Sequence, residues 1–196
     1  MDVVEYEVKN TDYSSKDNQK SKNYQKACGV LNMFPLSLPH KKLSVMEIGD
    51  KIPELLGYDQ NGKEVKASEY TGKKLVLYFY PKDLTSGCTT EACNLRDNYS
   101  ELRSQGYEVV GVSTDDEKSH LKFIDKHELP FRLIADKDKT LVETFGVWGE
   151  KKMYGRTYMG TFRTTFVIDE EGKVERIIDP KNVKVKEHAS QILNGK

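Results

Sequence analysis

The chain has 196 residues, enough for one domain of ordinary size and an appended segment. Its 31 basic and 31 acidic residues balance, which argues against partners such as nucleic acid or an anionic membrane. No run approaches the roughly 18 continuous apolar residues that a membrane-spanning helix needs. Three cysteines form neither a disulfide framework nor a paired zinc set, so we expect a reducing compartment, the cytoplasm, and no metal or cofactor.

The first 45 residues differ in composition from the rest. Positions 2–26 contain no Leu, Ile or Phe and are rich in Lys, Asn, Ser and Asp. Such a segment buries too little apolar surface to offset its ordering entropy, which predicts disorder. We therefore divide the chain into a disordered and dispensable extension at 1–45, and a domain at 46–196. Cys28 lies in the extension, and we interpret it as incidental.

Apolar and amphipathic segments alternate from Met46 onward. The apolar run KLVLYFY at 74–80 predicts a strand buried on both faces. The later segments are predicted as a helix at 88–104, a strand at 107–115, a helix at 117–128, a strand at 129–136, a helix at 140–147, a hairpin at 161–169 and 173–179, and a helix at 185–194. This order predicts an α/β fold with a central mixed sheet, mostly parallel with one antiparallel hairpin, flanked by helices.

The segment TSGCTTEAC at 85–93 places two cysteines at the start of the first of these helices. On a helical wheel Cys88 shares an inward stripe with Ala92 and Leu95, whereas Cys93 lies roughly 140° around the axis. The Cα atoms of the two cysteines would be roughly 8 to 9 Å apart, beyond the ~4.4–6.8 Å that a disulfide spans. If these thiols pair, the first turns of the helix must unwind.

Cys88 follows a Ser-Gly turn and opens the predicted helix. Free backbone N–H groups and the helix dipole at such a position favour the reactive thiolate. The alternative is that Cys88 is a small core residue and Thr85 a helix cap. For a lone cysteine these two interpretations are evenly matched. The strand-turn-helix setting and the presence of a second cysteine favour a reactive Cys88.

Several motifs in this part of the chain then carry a family resemblance. YPKDLTSGCTTEAC at 80–93 resembles the active-site segment of the peroxiredoxins, Pro-x-x-x-Thr-x-x-Cys. The second cysteine five residues on resembles the bacterioferritin comigratory protein or peroxiredoxin Q subfamily, as do NLRDNYSEL, VVGVSTD, FGVWGEK and FRTTFVIDEEGKV. The resemblance runs from Met46 to the C-terminus, with Ser86 where the family commonly has Pro.

The resemblance implies a thioredoxin-like fold and a role for each matched residue. Cys88 would be the peroxidatic thiolate, Thr85 would orient thiolate and peroxide, and Pro81 would shield the site from water. Arg163 would stabilise the thiolate and the transition state, although strand alternation alone predicts a solvated Arg there. Cys93 would be the resolving thiol, forming a disulfide with Cys88 that thioredoxin reduces.

The implied activity is thioredoxin-dependent reduction of hydrogen peroxide and organic hydroperoxides by a monomer in antioxidant defence. A cysteine phosphatase would need Arg six residues after the nucleophile, where this chain has Asn94, and a thioredoxin-type oxidoreductase would need CxxC. A redox-sensing or interaction module that uses the cysteine pair as a switch remains open. We interpret His120 and His127 as a solvated helix face, and Glu91 as a first-turn residue that complements the helix dipole.

Overall fold

The computed structural model describes residues 45–153 and 155–195, so nearly all of the predicted extension at 1–45 lies outside the described residues. The strands are β1 Leu55–Tyr58, β2 Glu64–Lys66, β3 Lys74–Phe79, β4 Tyr107–Ser113, β5 Arg132–Ala135, β6 Trp148–Met153, β7 Arg156–Thr161, β8 Thr164–Ile168 and β9 Val174–Ile178. The helices are α1 Ser86–Asp97, α2 Tyr99–Ser104, α3 Glu117–His127, α4 Thr140–Thr144 and α5 His188–Leu193. A short 3-10 helix spans Ala67–Tyr70.

A five-stranded mixed sheet in the order β5-β4-β3-β8-β9 forms the centre of the fold. Strands β3, β4 and β5 are parallel, whereas β8 is antiparallel to both β3 and β9. The sheet confirms the predicted parallel core with one antiparallel hairpin. Because β3 is the central strand, both of its faces are buried, which explains the unbroken apolar run from Leu75 to Phe79.

Alternate residues of β3 point into two separate hydrophobic clusters. Leu75 and Phe79 join the cluster that includes side chains of α4. Val76 and Tyr78 point to the opposite face, where they join side chains from α1, α2, α3 and α5. This second cluster contains Cys88, so the cysteine lies against the sheet on the side that α1, α2, α3 and α5 cover.

Two hairpins and one helix break were not predicted from the sequence. Strands β1 and β2 pair in one hairpin, and β6 and β7 pair in another, both outside the central sheet. The predicted helix at 88–104 begins two residues earlier and is divided at Asn98 into α1 and α2. The carbonyl oxygen of Asn94 accepts hydrogen bonds from both the side-chain amide of Asn98, at 2.8 Å, and the backbone N–H of Asn98, at 3.3 Å.

Candidate active site

Cys88 is placed by the connection from β3 to α1. Strand β3 ends at Phe79, a six-residue loop follows, and Cys88 is the third residue of α1. The side chain is only 1% exposed and packs in the same cluster as Ala92 and Leu95, as the helical wheel predicts. Cys88 is therefore both a core residue and the residue that begins the inward stripe of α1.

Arg163 contacts Cys88 directly. Its Nη2 donates a hydrogen bond to the sulfur of Cys88 at 3.1 Å, which joins a cation to the sulfur in a largely buried place. The residue lies in the short connection between β7 and β8, rather than inside a strand. A Cβ at Gly87 would lie 3.4 Å from that same Nη2, so glycine leaves space for the guanidinium beside the sulfur.

Glu91 pairs with Arg163 on the side away from Cys88. Its carboxylate accepts a hydrogen bond from Nη1 of Arg163, and the side chain is fully buried. Burial raises the pKa of Glu91 to about 7, against the opposing attraction of Arg163. The interpretation of Glu91 as a first-turn residue was wrong, because α1 begins at Ser86 and its first turn holds no acidic residue. The side chain instead holds the guanidinium that contacts Cys88.

His188 completes this buried group from α5. Its Nε2 lies 3.7 Å from Oε1 of Glu91 and 2.9 Å from the hydroxyl oxygen of Thr165. Burial lowers the pKa of His188 to about 4, so the ring is neutral at pH 7. The only full positive charge that contacts Glu91 at neutral pH is thus Arg163, within the described part of the chain.

Thr85 and Pro81 lie on the loop that leads to Cys88. Thr85 is the N-cap residue of α1, but its side chain makes no capping hydrogen bond. Its hydroxyl instead donates to the carbonyl oxygen of Lys82 at 2.9 Å. Pro81 is half-buried where the loop leaves β3. The structure thus brings Arg163 to Cys88, while the hydroxyl proton of Thr85 is directed into its own loop.

A buried polar network anchors this loop. Asp83 accepts hydrogen bonds from the Tyr80 hydroxyl at 2.7 Å and from Nδ1 of His120 at 2.8 Å. The other ring nitrogen of His120 lies 3.1 Å from the carbonyl oxygen of Ile134, so both ring nitrogens face oxygen atoms. The prediction of a solvated His120 was wrong, because this ring is fully buried. Beside the anchor, Leu84 adopts a left-handed conformation with φ 59°.

Cys93 lies on a different side of α1. Both cysteines are free thiols within the intact helix, which agrees with the spacing argument. The sulfur of Cys93 is 3.9 Å from Nδ1 of His127, the last residue of α3. His127 is half-buried, so its predicted position on a solvated face was also wrong.

Lys151 is a second cation near the site that the sequence did not reveal. Its Nζ donates to the carbonyl oxygen of Thr161 and lies 5.3 Å from the ring centroid of Phe162. Burial, and then the charge of Arg163, lower the pKa of Lys151, whereas Cys88 acts in the opposite direction. A lysine on a polar hairpin carries no sequence signal of burial.

Within residues 45–153 and 155–195, no group of three or more His, Cys, Asp or Glu side chains is arranged to hold a metal ion. No helix in that part of the chain is long and apolar enough to cross a membrane. The groups that meet at the site are the buried sulfur of Cys88, the guanidinium of Arg163 and the carboxyl of Glu91.

Comparison with known families identifies this arrangement. The model of the AhpC/TSA family matches residues 48–177. The chain belongs to the AhpC/TSA family. It is 47% identical to peroxiredoxin Bcp of Bacillus subtilis over 148 residues, which cover 76% of this chain and 93% of that protein. It is 41% identical to peroxiredoxin Bcp of Escherichia coli over 152 residues, 78% of this chain and 96% of the relative.

Solved structures of similar proteins agree with the fold of this peroxiredoxin. A cysteine mutant of Xylella fastidiosa PrxQ matches with a TM-score of 0.70 and 36% identity, covering 78% of this chain and 96% of that one. The bacterioferritin comigratory protein of Xanthomonas campestris, studied for alkyl peroxide reduction, matches with a TM-score of 0.68 and 35% identity, covering 78% and 94%. The predicted thioredoxin-like fold is confirmed.

Family membership defines the reaction class. Peroxiredoxins are thiol peroxidases, so this chain is an oxidoreductase whose substrates are peroxides and whose electrons come from a thiol reductant. The cysteine phosphatase and CxxC oxidoreductase alternatives are thereby excluded.

Proposed function

We propose that Cys88 is the thiolate that attacks the peroxide. The observation that carries this assignment is the hydrogen bond from Nη2 of Arg163 to the sulfur of Cys88 at 3.1 Å, in a largely buried place. A fixed cation in a site of low dielectric stabilises a thiolate far more than it would in water. Glu91 holds the guanidinium from its other side, so the donor is already oriented before the peroxide arrives.

The first step uses the loop residues as well. The sulfur of Cys88 attacks one peroxide oxygen, the O–O bond breaks, and the second oxygen leaves as water or an alcohol after taking a proton. Because the hydroxyl proton of Thr85 is donated to Lys82, the oxygen of Thr85 is free to accept a hydrogen bond from the peroxide. In this proposal Pro81 limits access of water at the other end of the loop.

We infer that Cys93 resolves the resulting sulfenic acid. The thiol of Cys93 condenses with the sulfenic acid of Cys88: the S–S bond forms, the S–O bond breaks, and water leaves. The helical spacing of the two residues requires the start of α1 to unwind first. The absence of a side-chain cap at Thr85 lowers the free-energy cost of that unwinding.

The remaining parts of the proposal concern partners. We propose thioredoxin as the dithiol that reduces the Cys88–Cys93 disulfide, and hydrogen peroxide and organic hydroperoxides as substrates. The alkyl peroxide reduction activity of the Xanthomonas campestris bacterioferritin comigratory protein supports the second assignment by analogy. We further propose that the enzyme works as a monomer in the cytoplasm, where the two thiols stay reduced between cycles.

Intact mass after one equivalent of peroxide tests the cycle. In a Cys28→Ser background, which removes the third thiol, we expect the protein to lose two hydrogens. With Cys93→Ser added we expect a gain of one oxygen, and with Cys88→Ser no change. Oxidation of the Cys88→Ser protein at the normal rate would contradict the nucleophile assignment.

Turnover separates an enzyme from a redox switch. Supplied with thioredoxin, its reductase and excess peroxide, the Cys28→Ser protein should consume many equivalents of peroxide, whereas a switch would react once. Loss of steady turnover in Cys93→Ser, with the first oxidation intact, is the expected result for a resolving cysteine. Normal thioredoxin-dependent turnover in that variant would show that Cys93 does not resolve.

A further inference from the structure

Cys93 and His127 form a side-chain pair between α1 and the end of α3. The distance of 3.9 Å from the sulfur to Nδ1 is a hydrogen-bond distance for sulfur. Both residues are half-buried, and they lie on the side of α1 turned away from the stripe that holds Cys88. The pair is thus separate from the Arg163 contact that serves the first step.

The imidazole ring of His127 is held in place. Its edge packs against the ring of Phe123 at a centroid distance of 5.4 Å and an interplanar angle of 79°. The carbonyl oxygen of His127 accepts a hydrogen bond from Nη1 of Arg96 at 2.7 Å, which docks the end of α3 on α1 one turn after Cys93. One contact therefore positions the ring of His127, and the other positions its backbone, beside the thiol.

The charges around His127 favour the neutral ring. Burial, then Lys126 and Arg96, lower the pKa of His127, so at neutral pH a ring nitrogen carries a free lone pair. The acidic groups on this side are Asp97, which pairs with Arg96, and Glu128, which follows α3. A neutral imidazole next to a thiol is the arrangement that general-base catalysis requires.

We propose that His127 is the general base that activates Cys93 for the resolving step. Nδ1 takes the thiol proton of Cys93, and the resulting thiolate attacks the sulfur of the Cys88 sulfenic acid. The S–O bond breaks, the leaving hydroxide takes a proton to become water, and the imidazolium returns its proton to solvent. The net change is one thiol and one sulfenic acid to one disulfide and one water. The inference rests on the resolving role of Cys93 proposed above.

The effect of a base is distinguishable from that of packing. If His127 only held α1 against α3, removing the ring would loosen α1, and disulfide formation would become faster because the helix must unwind. If His127 accepts the proton, the same change makes disulfide formation slower. The two roles therefore predict opposite signs.

The test is the single-turnover rate of disulfide formation in His127→Gln, in a Cys28→Ser background, with quenched samples read by intact mass. We expect a rate at pH 7 lower by about 100-fold, the lower end of the range for loss of a general base. The difference should shrink above about pH 8.5, where a cysteine thiol ionises without help. The rate at which Cys88 is oxidised should stay unchanged, as should both rates in Lys122→Gln, which removes an exposed charge from α3.

A disulfide rate in His127→Gln that is unchanged or faster at pH 7 would overturn the inference while leaving the peroxidase cycle intact. If the Cys28→Ser protein forms no disulfide at all, the resolving role of Cys93 fails, and this inference fails with it. Cys93→Ser compared under the same conditions separates these two failures, because it removes the disulfide whatever His127 does.

Discussion

The two cysteines of α1, one in its first turn and one past its middle, lie in opposite environments. Cys88 is buried and contacts a permanent cation, whereas Cys93 is half-buried and faces a neutral imidazole. A permanent cation stabilises an anion at every accessible pH, while an imidazole exchanges its proton near neutrality. One helix therefore places one cysteine beside a fixed positive charge and the other beside a group that can exchange a proton.

The first turn of α1 and the part of the helix around Cys93 also differ in the hydrogen bonds that hold them in place. Near Cys93, the side chain of Asn94 bonds to the Lys186 carbonyl oxygen and the Ala189 N–H, each at 2.9 Å, and Arg96 bonds to α3. The first turn has no side-chain cap. Because fraying starts where few contacts hold the backbone, we expect Cys88 to move toward Cys93, and not the reverse.

The substitution Arg163→Ala should have the largest effect on the difference between Cys88 and Cys93, because it removes the cation that contacts Cys88. Removing one preorganised donor from a developing charge costs about 10²- to 10³-fold in rate, and we expect that loss in the second-order reaction of Cys88 with hydrogen peroxide. Stopped-flow kinetics measures it, with Arg156→Ala on the exposed part of β7 as control. A loss of less than about threefold would mean that the guanidinium does not assist the attack.

The next largest effect should be a pH-dependent change in stability caused by the substitution Glu91→Gln. The folded pKa is about 7 against an ordinary value of 4.5, so the folded state binds this proton more tightly than the unfolded chain does. Stability from this group is present below pH 4.5 and is lost as the pH rises through 7. Glutamine does not titrate, so the free energy of unfolding of the variant, relative to that of the native protein, should rise by on the order of 3 kcal/mol from pH 4 to pH 8.

Urea unfolding at pH 4 and at pH 8 measures the free energy of unfolding of the Glu91→Gln variant and of the native protein. The difference between the two free energies should change with pH as stated. Glu101→Gln, at an exposed position of α2, should show no such trend. A difference that is constant with pH, or that moves the other way, would show that the carboxyl of Glu91 is ionised throughout.

A smaller effect is expected from Ser86→Pro, at the first residue of α1. Thr85 has φ −81° and ψ 150°, the extended conformation that a following Pro requires, and Pro is favoured at the first helical position. A compatible Pro stabilises by about 0.4–1 kcal/mol, which corresponds to roughly two- to fivefold slower unwinding. Disulfide formation should slow by that factor while the first oxidation does not. Faster disulfide formation than in Ser86→Ala would contradict unwinding from this end.

The smallest effect is expected from a chain that begins at Met46. Met46 is 9% exposed and belongs to the core cluster around β3, so this chain retains that side chain. We propose that its turnover stays within about twofold of the full chain, because the described core cluster around β3 begins at Met46 and is retained whole. Cys28→Ser in the full chain is the matched control. Failure to fold would show that the extension is required.

The sequence predicted the parts of the fold with strong periodicity. The apolar run of β3 and the amphipathic pattern of α3 appear where expected. The hairpins were missed because β1 and β2 are short and because β6 and β7 are rich in polar residues and glycine, so neither pair alternates clearly between apolar and polar residues. At the break, the side chain of Asn98 bonds to the backbone carbonyl oxygen of Asn94, a contact that periodicity does not record.

In the candidate site, too, local sequence pattern predicts some residue positions and not others. The stripe that carries Cys88 follows from helical spacing, but the position of Arg163 beside it was implied only by the family resemblance. Glu91 and His120 were misinterpreted because a charged residue is expected at the surface, and its burial depends on partners distant in sequence. The contact of His127 with Cys93 joins two helices, so local pattern cannot reveal it.

The burial of Cys88 among the apolar side chains of α1 has a consequence for the stability of this enzyme. In the proposed cycle the sulfur of Cys88 leaves the hydrophobic core each time it forms the disulfide with Cys93. The packing around Cys88 is therefore lost and formed again with every peroxide that is reduced. Mutations that tighten this corner of the molecule should therefore make the protein harder to melt and slower to work, so that a weakly held first turn is part of the catalyst.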